Sequence, residues 1–346
     1  MKKTIMCILC CILACSSCKK SITINTNPPK EGQIIANHEI VNDFDKIPKQ
    51  YISEVKKMMV FFPGESHSEA YREGMKLLQS KYPEFVCNVG SGEAITEKYL
   101  RVNEGDLVGE AEWFTWHAYS ADARPAASII IKNLITTNHY NGHPINVIGF
   151  AWCWDAFGEY SKFVKYRDIL TGKGRILPDP VYGIYWRGTS TGGPDGIRPW
   201  GLDSADYAET GNRICADTYL KATEDYISYC KGMGYITKVV FTTGPADSYT
   251  GENGYQGYLK HQYIRNYVTE DSSRILFDYN DILCYDDNGN ITTTTWKGHT
   301  YPVITAANLG DGSVGHISPE GAMRLAKAQW WMLARIAGWD GKVEDR

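Results

Sequence analysis

The stretch Met58-Met59-Val60-Phe61-Phe62-Pro63-Gly64-Glu65-Ser66-His67-Ser68 decides how this chain folds. Five apolar residues in a row, with no polar alternation, suit a strand buried on both faces. Pro63-Gly64 ends it, and a helical pattern follows from Glu69 to Tyr82 with Ala70, Met75, Leu77 and Leu78 on its apolar side. The same unit recurs along the chain. Phe85-Val86-Cys87-Asn88-Val89, Ile145-Asn146-Val147-Ile148-Gly149-Phe150, Val239-Val240-Phe241 and Ile275-Leu276-Phe277 are further short runs rich in Val, Ile and Phe. Ala216 to Met233 repeats the helical pattern with Leu220, Tyr226, Ile227 and Tyr229. A last helix is announced by Ser318 as cap, Pro319 at its first position and Glu320 in its first turn. It runs through Met323, Leu325, Trp330 and Leu333 to Gly338. Strands alternating with helices predict an α/β domain whose parallel sheet is covered on both sides. Residues 155–212, rich in Gly, Pro, Asp and Trp, break the rhythm and read as a long ordered loop.

In an open parallel sheet, ligands bind beyond the carboxyl ends of the strands, so the residues that follow each run carry the chemistry. Ser66 follows the first run on a Gly64 turn, with a helix amino terminus directed back at it. Asn88-Val89-Gly90-Ser91-Gly92 follows the second, where glycine admits a ligand close to the backbone. Asp311-Gly312-Ser313-Val314-Gly315-His316 stands just before the last helix. His67 reads as a site wall or a solvent-facing residue. Trp152, Trp154 and Asp155, after the third run, line a sugar pocket or, for the tryptophans, pack in the core.

These three segments, in this order, resemble the SGNH (GDSL-type) hydrolases. Gly64-Glu65-Ser66-His67-Ser68 is similar to the Gly-Asp-Ser-x-Ser/Thr motif with Glu replacing Asp, Asn88 to Gly92 to the second motif, and His316-Ile317-Ser318-Pro319 to the last. The segments Thr242 to Asp247 and Trp330 to Arg335 also resemble uncharacterised SGNH-like lipoproteins of Bacteroidetes. The resemblance spans roughly residues 58–338. It implies a flavodoxin-like three-layer α/β/α sandwich with a mainly parallel five-stranded sheet. It further implies Ser66 as nucleophile, His316 as its base, and the N–H groups of Ser66 and Gly90 or Gly92 as oxyanion donors. Two features depart from that pattern. Where the family's third motif carries an Asn donor, this chain reads Gly149-Phe150-Ala151-Trp152-Cys153-Trp154-Asp155. The family's Asp, three residues before the His, is Ser313 here, so either Asp311 reaches round, another group orients His316, or a dyad operates.

The amino terminus sets the compartment. Met1-Lys2-Lys3 precedes an apolar run from Ile5 to Ala14, about ten residues, which is too short to cross a bilayer but fits a signal peptide. Small residues before Cys18 resemble a lipobox, and charge begins just after it; Cys15 is the alternative lipidation site. Residues 19–45 read as a polar tether, leaving 46–346 as the folded domain. The chain is therefore expected to be an exported lipoprotein, periplasmic or at the cell surface, attached to the membrane by lipid alone. A net charge of −4 with mixed signs excludes a basic nucleic-acid footprint. Of ten cysteines, the five outside the signal region are scattered singly and read as buried apolar residues. His117, His139 and His143 lack zinc-type spacing, and no metal or other cofactor is expected. The 23 Tyr and 10 Trp suit sugar stacking or core filling alike; it is the resemblance, joined to the export signal and the aromatic loops, that implies an esterase acting on an acylated polysaccharide or oligosaccharide. The alternative is a non-catalytic carbohydrate-binding lipoprotein of the same shape.

Overall fold

A computed structural model describes residues 28–64, 66–90, 95–104, 113, 126–152, 216–246 and 248–342. Within them lies one seven-stranded sheet: β1 (Ile35–Ala36), β2 (Met59–Phe61), β3 (Cys87–Gly90), β4 (Leu100–Asn103), β5 (Val147–Gly149), β6 (Lys238–Thr242) and β7 (Leu276–Phe277). Their order is β1-β7-β6-β5-β2-β4-β3, and every neighbouring pair is parallel. The α/β architecture with a parallel sheet is thus as read from the sequence, but with seven strands where five are expected. The two additional strands escaped for physical reasons. β4 places Arg101 in the middle of a four-residue strand, and that side chain is nevertheless buried. β1 is only two residues long.

Alternate strand residues feed two separate cores, which is why the apolar runs are continuous. Val60, Phe62, Val147, Val240 and Phe277 join one cluster, whereas Met59, Phe61, Ile148, Phe241 and Leu276 join the other. The first is covered by α1 (Lys49–Lys56), α2 (Ser68–Lys81), α6 (Tyr279–Cys284) and α8 (Pro319–Ile336). The second is covered by α3 (Ala126–Tyr140), α4 (Ala216–Met233) and α5 (Gly251–Thr269). A short helix α7 (Ala306–Leu309) and an antiparallel hairpin, β8 (Thr293–Trp296) with β9 (His299–Pro302), complete the described elements. The last helix begins as its sequence dictates, with Ser318 Oγ accepting from Gly321 N at 2.9 Å.

The boundary between tether and domain moves toward the amino terminus. Residues expected to tether through about 45 already contain β1 and a 3-10 helix, His38–Lys46, which buries Val41 and Phe44. Their spacing of three matches the 3-10 period, and Phe44 packs on Tyr82 and Phe85 at ring distances of 5.0 and 5.3 Å. Cys18 and residues 19–27 lie outside the described residues, as does the whole of the expected loop at 155–212. Among the described residues no helix is long and apolar enough to cross a membrane.

Candidate active site

Ser66 sits where β2 has ended and α2 is about to begin, and Gly64 sets its approach. The Gly64 backbone bridges to Ala151 beyond the end of β5. A Cβ on Gly64 would stand 1.8 Å from the Ala151 carbonyl oxygen, so only glycine allows the two segments this close. Ala151 N donates to Pro63 O at 2.8 Å and fixes the same junction. Ser66 itself is exposed.

His316 arrives from the opposite end of the sequence on a very tight turn. Val314 and Ile317 exchange backbone hydrogen bonds of 2.9 and 3.1 Å, with only Gly315 and His316 between them. Both central residues have positive φ, +53° and +68°, the signature of a type I′ turn. A Cβ at position 315 would meet Ala70 N at 2.8 Å and Ser66 O at 3.2 Å. The glycine therefore lets this turn press against the start of α2. A histidine at positive φ costs on the order of 1 kcal/mol or more, and such strain is concentrated at functional sites. The result is direct contact: His316 Nε2 lies 2.8 Å from Ser66 Oγ across 250 positions of sequence.

His67 is not solvent-facing. It is 3 % exposed, and its ring centroid is 4.9 Å from that of His316 and 6.2 Å from that of Tyr279. Burial, helped by the neighbouring His316, pushes its pKa down to about 3. Its Nδ1, together with the hydroxyls of Tyr71 and Tyr279, is buried with no hydrogen-bond partner among the described residues. The two tyrosine rings are 5.4 Å apart. A polar knot therefore backs the Ser66–His316 pair.

The remaining expectations fare differently. Asp311 is exposed and turns its carboxylate on its own loop, accepting from Ser313 N at 3.1 Å. The Ser313 contacts hold its pKa below the usual carboxylate range. A carboxylate–histidine pair does exist elsewhere, Asp281 Oδ2 with His38 Nδ1 at 2.5 Å, but it adjoins Tyr285 rather than Ser66. Gly90 ends β3 at the sheet margin, and β4 separates it from β2, so two strand spacings of about 4.8 Å intervene. Gly90, one of the two glycines that the resemblance implies as an oxyanion donor, thus stands on a strand that does not adjoin β2. Asn103, at the carboxyl end of β4 and buried, is the residue that now borders β2 on that side, and no apolar run marked it. Trp152 belongs to the core: it is 2 % exposed, its Nε1 donates to Thr242 O at 3.1 Å, and it packs on Tyr219 at 4.5 Å. Gly92, Trp154 and Asp155 lie outside the described residues.

The cysteines Cys87, Cys230 and Cys284 are free and buried. Burial pushes the first two thiols up to about 12 and about 11, which keeps them protonated and unreactive. Among the described residues there is no cluster of three His, Cys, Asp or Glu side chains that would hold a metal ion. No protein-family model matches the chain, and no curated protein matches it in sequence.

Proposed function

We propose that this protein is an exported, lipid-anchored serine hydrolase of SGNH type on a flavodoxin-like sandwich, an esterase that removes acyl groups from a polysaccharide. One observation carries the reading: a serine and a histidine from opposite ends of the domain meet at 2.8 Å beyond the carboxyl ends of a parallel sheet. The chemistry follows from that pair. With Nε2 unprotonated, His316 accepts the hydroxyl proton while Oγ attacks the ester carbonyl carbon. The tetrahedral adduct collapses, the alcohol leaves with the proton from Nε2, and water then hydrolyses the acyl-serine by the reverse sequence. Ser66 N, just ahead of α2, is the oxyanion donor in this reading, with Gly90 or Gly92 as the second, and one such donor is worth roughly 10²–10³ in rate. His67 remains neutral at working pH because its pKa lies near 3, so the positive charge of the step resides on His316 alone.

The acylated glycan as substrate rests on the export signal and the aromatic content. A non-catalytic carbohydrate-binding protein is the second reading, favoured by the engagement of Asp311 with its own turn. Hydrolysis of p-nitrophenyl acetate and of acetylated glycans distinguishes them. Unsubstituted protein is expected to turn over, and Ser66→Ala and His316→Ala to lose at least about a thousandfold in kcat. Equal background rates in all three would leave the binding protein as the better account.

A further inference from the structure

The edge of the sheet opposite Ser66 carries a concentration of exposed apolar side chains. Tyr140 is 72 % exposed, Ile236 54 % and Met233 48 %. Tyr140 ends α3 just ahead of β5, while Met233 and Ile236 flank the turn between α4 and β6. Because β5 and β6 are paired, with Val147 opposite Lys238, the two segments emerge side by side at the amino-terminal edge. Tyr235 joins them, its ring 4.4 Å from His139 and its hydroxyl a neighbour of that of Tyr140. The segments 138–147 and 229–240 contain Lys231, Lys238, His139 and His143 but no carboxylate.

The tether enters at this same edge. β1 is parallel to β7, its one neighbour among the described strands, so the residues before Ile35 lie at the amino-terminal side. Lys30 Nζ bonds to Glu270 O, and Gln33 Nε2 donates to Val268 O and Asp271 O at 2.9 Å, just ahead of β7. From β1 to β5 and β6 is two to three strand spacings, about 10–15 Å. The twelve residues from Cys18 to Lys30 reach at most about 40 Å. A lipid at Cys18 therefore holds this edge within reach of the bilayer at a high effective concentration, where even a weak contact is occupied.

We propose that this edge rests on the anionic phospholipid surface to which the chain is tethered. Tyr140, Met233 and Ile236 enter the headgroup layer and Lys231 and Lys238 meet lipid phosphates. The pattern of a tyrosine with apolar and basic neighbours suits that layer, where one end of each side chain is wet. The consequence is orientation: Ser66 and His316, at the opposite edge, face away from the membrane toward large substrates in solution. The inference rests on the lipoprotein reading.

Hydrogen–deuterium exchange on the full lipidated chain tests it, in vesicles of phosphatidylcholine with phosphatidylglycerol and in detergent micelles. Amides of 139–143 and 231–237 are expected to exchange about tenfold more slowly on vesicles, while 310–316 are unchanged. The triple variant Tyr140→Glu, Met233→Glu, Ile236→Glu is expected to float with the vesicles yet lose that protection. Flotation of the unsubstituted chain without protection overturns the membrane contact and leaves the anchor standing. Failure to float overturns both. Protection that grows with protein density on the vesicle, and persists on phosphatidylcholine alone, overturns it in favour of a second copy of this chain.

Discussion

Two clusters of polar side chains share the carboxyl edge of one sheet and are built in opposite ways. Beside β6 and β7, Arg265 grips Asp278 with two bonds of 2.6 and 2.8 Å, Thr243 Oγ1 donates to the same carboxylate at 2.8 Å, and Arg265 also reaches Asn280 at 3.0 Å. Asp278 further caps α6 through Asp281 N at 3.2 Å. All of these groups are buried and saturated. Beside β2, Ser66 and His316 are exposed, His316 holds a positive φ, and the atoms behind them, His67 Nδ1 and the Tyr71 and Tyr279 hydroxyls, are buried without partners among the described residues. A saturated network fixes the fold. Buried polar atoms without partners also occur at Gln329, Trp330 and Trp331 among the described residues, so what sets the second cluster apart is their coincidence with a positive-φ histidine in contact with an exposed serine.

That contrast is broken most severely at its saturated end. Asp278→Ala strands the Arg265 guanidinium in the interior, and loss of one partner of a buried pair costs about 3–5 kcal/mol. Urea unfolding is expected to register this as a large fall in midpoint. Ser66→Ala, an exposed change, is expected to move the same midpoint by no more than about 0.5 kcal/mol. Comparable losses from the two would erase the distinction between the clusters.

The junction that brings Ser66 and His316 together is next. Gly64→Ala drives a methyl into the Ala151 carbonyl, 1.8 Å away. Overpacking of this kind costs about 1–3 kcal/mol. Since Ser66 follows two residues later, kcat is expected to fall together with stability, which separates this change from Asp278→Ala, where residual folded protein retains its kcat. A stable, inactive Gly64→Ala protein would mean that the close approach serves the site alone.

Acid exposes the unmet histidine. In the unfolded chain His67 takes a proton near pH 6.5, whereas in the folded protein it resists until about 3. Below 6.5 the unfolded state thus binds the extra proton, and stability, complete above that pH, erodes toward 3. The slope is up to about 1.4 kcal/mol per pH unit for each such group. His261, also buried and held well below its usual value by burial, with Arg265 and Lys260 adding, acts in the same direction. Between pH 6.5 and 4.5, His67→Phe is expected to flatten the dependence of unfolding free energy on pH by one histidine's share. An unchanged slope would show that His67 charges without unfolding.

Much of this is legible in the sequence. Four of the five apolar runs are strands because burial on both faces needs unbroken Val, Ile and Phe, the fifth, β3, being a half-buried edge strand, and the serine and histidine stand where a parallel sheet puts its ligands. Ser318-Pro319 begins α8 because cap and first-turn preferences are local. What escaped was set at long range. Arg101 sits inside a strand, its Nη2 donating to Lys57 O at 3.2 Å, an environment no local pattern reveals. The insertion of β4 then moved Gly90 away from β2, since neighbour order in a sheet is not written in any one strand. Trp152 looked equally suited to a sugar pocket and to the core, and only its donation to Thr242 decides for the core.

The smallest expected effect tests the member of a three-membered site that this chain does not place beside the histidine, the carboxylate. If Asp311 oriented His316, removing its charge would cost about 10⁴ in kcat, as in the Asp-to-Asn change of a serine protease triad. Here the carboxylate accepts from Ser313 N within its own turn, and its pKa is lowered by Ser313 rather than by a histidine. An Asn side chain also accepts from a backbone amide two residues on. Asp311→Asn is therefore expected to lower kcat/KM by less than about threefold and stability by no more than about 0.5 kcal/mol. A hundredfold loss with stability intact would place Asp311 on His316 during turnover and turn the dyad into a triad. Retained activity would instead leave the type I′ turn and the buried His67 ring as what holds the base against Ser66.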